Sequence, residues 1–306
     1  MAETSTSTRP LTGIAFLVGA AFFWSVMSVC VKFVGERLPS QQIVWVRAIV
    51  TLGYSYLLLR WSGVASIWGT QRRLLWLRGG LGFTALTCFF YALTKLPLAD
   101  ATVIHYTNPV FVALIAAVVL QEPLTAGEMG GAVTSLAGVA LIAKPSFVFG
   151  DSAVGLNPLY VGIALLGAIC AASAYVVVRK LRETEHPFVI VFYFPLVASI
   201  GSAPTAVFAD LQWPTGWEWL LLIVGVGVSA QLAQVFVTRG LHAVKAGRAM
   251  TVTYLQIVFA ALWGWTFFGE TVDLWSAIGG CLVVGGTLVA HSRRRRIKPL
   301  RLRERT

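Results

Sequence analysis

The chain has 306 residues, 57% of them hydrophobic and only 12% charged, with a mean hydropathy of +0.76 and a formal net charge of +11. Apolar runs on that scale need lipid as their solvent, which excludes an ordinary soluble domain. A membrane crossing takes about 20 apolar residues, so ten crossings use about two-thirds of the chain and leave no stretch for a separate soluble domain.

In chain order, the apolar stretches predict spans over 12–34, 41–59, 74–95, 99–120, 125–143, 159–180, 187–208, 217–240, 248–268 and 272–291. The first is too long for a secretory signal and lacks a small-residue cleavage site after it. With the N-terminus inside, 18 of the 24 Lys and Arg residues fall on inner segments, and four (Lys32, Arg37, Lys95 and Lys144) fall at outer ends. By the positive-inside rule both termini are then cytoplasmic, as expected of a bacterial inner-membrane protein. Arg47 and Arg78 lie within spans. The tail over 292–306 carries Arg293, Arg294, Arg295 and Arg296 directly after the last span, which reads as a stop signal meeting anionic lipid and not as a nucleic-acid patch. Cys30, Cys88, Cys170 and Cys281 all sit in spans as small packing residues, with no metal-ligand spacing.

An offset of 148 residues maps one half of the chain on the other. Gly19, Ala20 and Lys32 fall on Gly167, Ala168 and Lys180. Nine identities follow in 42 ungapped positions between 101–142 and 249–290, among them Tyr106 on Tyr254 and Glu122 on Glu270. The expected fold is therefore all-α and integral to the membrane, with ten transmembrane helices arranged as two five-helix repeats. An odd number of helices per repeat inverts the second relative to the first, an architecture typical of secondary transporters. The repeats cover 12–143 and 159–291, joined by a linker over 144–158. Glycines at 127, 130, 131 and 138, and again at 279, 280, 285 and 286, predict close helix approach. Packing within the bundle is the favoured reading of them, with a homodimer interface as the alternative.

Several stretches resemble a known family. Tyr91-Ala92-Leu93, Leu96-Pro97-Leu98-Ala99-Asp100-Ala101-Thr102, Asn108-Pro109-Val110-Phe111-Val112-Ala113-Leu114 and Leu120-Gln121-Glu122 are similar to the hallmark of the drug/metabolite transporter superfamily, in its ten-helix EamA-domain branch. Phe23-Trp24-Ser25, Lys32 and Arg47 fit the same pattern, and Tyr254, Gly269-Glu270 and Gly279 keep parts of it in the second half. Leu77-Arg78-Gly79-Gly80 resembles a branch with proposed S-adenosylmethionine and riboflavin carriers. Two departures stand out: Gln256-Ile257 occupy a place where the ninth helix often has proline, and Pro195 stands opposite Arg47. The resemblance implies ten helices, cytoplasmic termini and a central cavity between the halves.

Polar groups inside spans are costly and default to functional hypotheses. Arg47, about 10 Å deep in its span, reads either as a substrate or gate contact or as a structural partner. Lys32 lies near a boundary, with Glu36 one turn on as a candidate partner. Arg78, near the start of its span, reads as topological. His105 offers a proton-carrying group near neutral pH, against a plain core histidine. Asn108-Pro109 predicts a kink that frees backbone carbonyls. Glu122 and Glu270 end helices at opposite faces as gate or structural groups. Trp24, Tyr106 and Tyr254 are the aromatic candidates, and Gln231, Gln234 and Gln256 add uncharged hydrogen-bonding groups.

No catalytic constellation, metal site or cofactor motif is present in the sequence: there is no His-Glu-x-x-His, no Gly-x-Ser-x-Gly and no nucleotide-binding glycine loop. The expected function is secondary transport of a small organic solute through the bilayer by alternating access. A membrane-embedded enzyme and a sensory or structural membrane protein are the alternatives.

Overall fold

The computed structural model describes residues 10–64, 66–96, 98–149, 157–207, 211–269 and 273–291. Among them ten helices are long and apolar enough to cross a membrane: Leu11–Gly35, Ser40–Trp61, Arg72–Leu93, Asp100–Val119, Ala126–Ala143, Pro158–Leu181, Pro187–Pro204, Gly216–Ala243, Ala246–Phe268 and Leu274–His291. They match the expected spans to within a few residues. Glu270, the middle of the linker (150–156) and the basic tail lie outside the described residues.

Local chemistry sets the helix ends. Asn157 caps the sixth span by accepting from Leu159 N (2.9 Å), with Pro158 at the first helical turn, where its missing N–H costs nothing. Thr125 and Glu128 form a reciprocal capping box on the fifth span. The ninth span ends on Gly269 with φ +63°, and the repeat-equivalent Gln121 adopts φ +53°. Both halves therefore make the same left-handed turn just before their glutamate, although only one of them has glycine for it.

The halves interlock reciprocally. The first span packs on the eighth and the third on the sixth; the second packs on the seventh and the fifth on the tenth; the fourth packs on the sixth and the ninth on the first. Each pairing is its own image, or the image of another, under the 148-residue offset, as two inverted repeats about a pseudo-two-fold axis require. That axis passes between the fifth and tenth spans, where Ser135 Oγ donates to the carbonyl of its image Val283 (3.2 Å). A Cβ on Gly131 would strike the Gly286 carbonyl and one on Gly138 the Gly279 carbonyl, with the converse contacts equally close. Those four glycines serve packing within the chain, whereas Gly130, Gly280 and Gly285 face open space.

The eighth span is irregular. Its Leu221–Val228 stretch is wound as a π-helix. Tyr54 on the second span donates to the Ile223 carbonyl there (3.2 Å), and Gly227 leaves room for Val50 and Tyr54.

Candidate functional site

The fourth and ninth spans both break halfway along. The fourth is helical over Leu98–His105 and again over Asn108–Val119; the ninth is helical over Ala246–Val252 and again over Leu255–Phe268. In the fourth, Pro109 cannot donate to the His105 carbonyl, and the Asn108 side chain donates there instead (3.0 Å). Val110 N turns to the Thr107 carbonyl (3.0 Å), which frees the Tyr106 carbonyl, and the Tyr254 hydroxyl donates to it (2.9 Å). The Asn108-Pro109 kink is therefore real, and Asn108 spends its amide on repairing it.

The ninth span breaks without a proline. Gln256 N bonds the Thr253 carbonyl and Ile257 N the Tyr254 carbonyl, each one residue short of the α-helical register. Thr251 and Thr253 turn their hydroxyls on the Gly247 and Met250 carbonyls, and such back-bonding bends helices. The rings of Tyr106 and Tyr254 stack across the break at 6.0 Å, so this repeat-matched pair meets on the axis. Broken helices with spare backbone and polar side chains at mid-depth are the usual furniture of a carrier's binding site.

Two cations lie one residue further out, within electrostatic reach of Tyr175. Arg78, expected to be topological, is only 3% exposed. Its guanidinium sits 4.7 Å over the Phe194 ring, and its Nε is buried without a partner. Arg47 enters from the second span, and the charges of both arginines reach the Tyr175 hydroxyl on the sixth. Tyr175 in turn is an electrostatic neighbour of Tyr106. Among the described residues, neither arginine forms an ion pair or a hydrogen bond. A lone cation at mid-membrane costs about 3 kcal/mol on insertion scales, so such groups are kept only where something compensates them.

The other candidates scatter. Gln231 accepts from Ser55 (3.1 Å), with its amide nitrogen buried and unpartnered, as is that of Gln234. His105 lies against the Phe89 ring at 4.3 Å and edge-on to Tyr106, in aromatic packing. Trp24 packs on the apolar core, while its neighbour Ser25 accepts from Trp263 Nε1 (2.9 Å). Lys32 sits 3.8 Å over the Phe268 ring at the far end of the first span. Gln256 is half-buried and takes part in the ninth-span break through its backbone N–H.

Glu122 forms the second centre, on the face where the first span begins and the tenth ends. Its Oε1 pairs with Arg179 Nε (2.8 Å) and its Oε2 accepts from Ala246 N (2.9 Å). Arg179 Nη1 donates to the Leu241 and His242 carbonyls (2.7 and 3.1 Å). Four span ends are thereby tied together across the two halves, and the cavity left beside Glu122 holds only about 10 Å³. Arg248 and Glu128 add a second inter-half pair at 2.6 Å. We call this the closed face. A groove of about 480 Å³ between the second span's end and Trp68 lies off to the side, outside the bundle's centre.

Comparisons with known proteins agree with this architecture. The EamA-like transporter family matches residues 11–144 and 158–291. The pseudopaline exporter CntI of Pseudomonas aeruginosa strain UCBPP-PA14 is 36% identical over 275 residues, covering 89% of this chain and 93% of that one. Human solute carrier family 35 member G1 is 30% identical, over 90% of this chain and 77% of its own. A crystal structure at 22% identity superposes with a TM-score of 0.79 over 91% of this chain and 96% of the other, which shows the shared fold. The family and the named relatives are transporters and not enzymes, and this integral membrane protein belongs to the EamA-like transporter family.

Proposed function

We propose that the protein is a secondary carrier that moves a small organic metabolite across the membrane by alternating access between its two inverted halves. The observation that carries this reading is the pair of broken helices meeting through Tyr106 and Tyr254 on the pseudo-two-fold axis, with one face of the bundle tied shut beyond them. Two halves of the same design can exchange conformations about such a centre, which is the mechanical requirement of alternating access. The Lys and Arg distribution makes the closed face cytoplasmic, with both termini there and the basic tail against anionic lipid. The pseudopaline exporter's name supports outward movement. One chain carries all ten spans and is taken as the transporting unit.

The test is reconstitution into liposomes loaded with a mixed metabolite extract, followed by mass spectrometry of what leaves. S-adenosylmethionine and riboflavin belong in the mixture because Leu77-Arg78-Gly79-Gly80 resembles the branch proposed to carry them. Selective, protein-dependent loss of one metabolite class is expected. No loss under imposed pH and sodium gradients would contradict the reading.

A further inference from the structure

Two arginines within spans, Arg78 buried and Arg47 half-buried, are not required by the helical frame. Under the repeat offset Arg47 falls on Pro195, Arg78 on Val226 and Tyr175 on Met27. The second half builds the same five-helix unit with no cation at either position, so the fold itself does not explain why the first half places two within its spans. Nor does the bundle neutralise them, since among the described residues neither has a carboxylate within ion-pair reach.

Their geometry points inward. Arg78 starts about 9 Å into its span and runs past Gly82, where an added Cβ would lie 2.8 Å from Nη1. The glycine leaves the lane that the guanidinium occupies. Phe194 supports the face of the guanidinium at 4.7 Å, while Nε remains a buried donor without an acceptor. Arg47 enters from the opposite face of the membrane, and the Tyr175 hydroxyl lies within electrostatic reach of both guanidinium groups. A guanidinium held in low dielectric with a donor unmet is costly, and an anion beside it supplies both the counter-charge and the missing acceptor.

Resting on the carrier reading above, we propose that the transported solute is a small organic carboxylate, gripped between Arg47 and Arg78 beside Tyr175. The planar guanidinium fork suits a carboxylate's paired oxygens. The site adjoins the Tyr106–Tyr254 pair, so closure about the axis would pass the anion from one face to the other without uncovering it to lipid.

The test uses liposomes holding an equimolar mixture of citrate, succinate, glutamate, glucose, uridine, choline and spermidine, with the full-length protein reconstituted. Protein-dependent efflux confined to one or more of the acids is expected. Arg78→Gln and Arg47→Gln should each slow it by about tenfold or more, the scale of one lost charged hydrogen bond. Arg78→Lys should retain more efflux than Arg78→Gln, and Gly82→Ala should raise KM by crowding the guanidinium. Arg182→Gln, at an exposed arginine outside the cluster, should transport normally. Efflux of glucose, uridine, choline or spermidine in place of the acids would overturn the anion assignment and leave the carrier reading standing. Acid efflux unchanged in both glutamine variants, confirmed as folded by their size-exclusion profiles, would also overturn it. Loss of no solute at all would count against the carrier reading itself.

Discussion

The two faces of the bundle are held in different ways. At the closed face, Glu122 and Arg179 are 16% and 7% exposed; both Glu122 oxygens are spent on the second half, and Arg179 adds two bonds from Nη1 to the end of the eighth span. At the other face each charged cross-half tie has at least one partner open to solvent. Arg37, 45% exposed, pairs with Glu218, which is only 1% exposed, whereas Lys144 and Asp273 meet with both partners open, at 42% and 36% exposure. Exposed pairs contribute about 0–1 kcal/mol, whereas removing one partner of a buried pair costs about 3–5 kcal/mol. The asymmetry teaches which face opens at less cost. It also has a sequence origin, because Arg179 falls on Val31 under the repeat and the far face cannot build the same tie.

That contrast can be broken most forcefully at Glu122. Glu122→Gln leaves the buried Arg179 charge without its counter-ion and should lower stability by about 3 kcal/mol, read as a drop in Tm of the detergent-solubilised protein, together with a gain in labelling of the closed face by aqueous thiol reagents at an introduced cysteine. Tyr254→Phe acts between the faces. It strands the Tyr106 carbonyl freed by the kink and should cost about 1–3 kcal/mol in the same melt. Lys144→Gln tests the looser face at its exposed pair and should shift the melt by no more than about 1 kcal/mol, with no gain in closed-face labelling. An effect as large as that of Glu122→Gln would dissolve the contrast.

The smallest effect concerns pH. Bonds from Lys144 and Ser276 hold the Asp273 carboxyl down to about 2. A carboxylate with a lowered folded value stabilises the fold above its unfolded value and loses that contribution as pH falls through the folded one. Acidifying the looser face from about pH 7 to about pH 4 should therefore leave the Lys144–Asp273 tie intact, since both values lie lower. The check is the distance between spin labels at the ends of the fifth and tenth spans, which should stay constant over that range.

Much of the frame was legible in the letters. Long apolar runs marked the ten spans because lipid demands them, and the unchanged offset announced the inverted repeat. Tyr106 and Tyr254 stood out by repeat matching, and they do meet. What escaped was set by tertiary geometry. The break in the ninth span carries no proline, being made by threonine hydroxyls that give no periodic signal. Arg78 lies near a helix start, where a topological arginine also would, and only the packing of the third span on the seventh reveals its burial. Arg179, 57 positions from Glu122, has nothing local to name its partner. Gln121 holds a left-handed turn that its residue type does not advertise, and only its register with Gly269 points there.

The most direct test of alternating access about this axis is a pair of spin-label distances in the reconstituted protein, with the native cysteines replaced. One pair would join Leu124 to Arg182 at the closed face, and the other Arg37 to Thr215 at the looser one. Two populations that change in opposite senses are expected, with Glu122→Gln shifting weight toward a wider closed face and a narrower far face. A single distance at each face, unmoved by that substitution, would contradict the account.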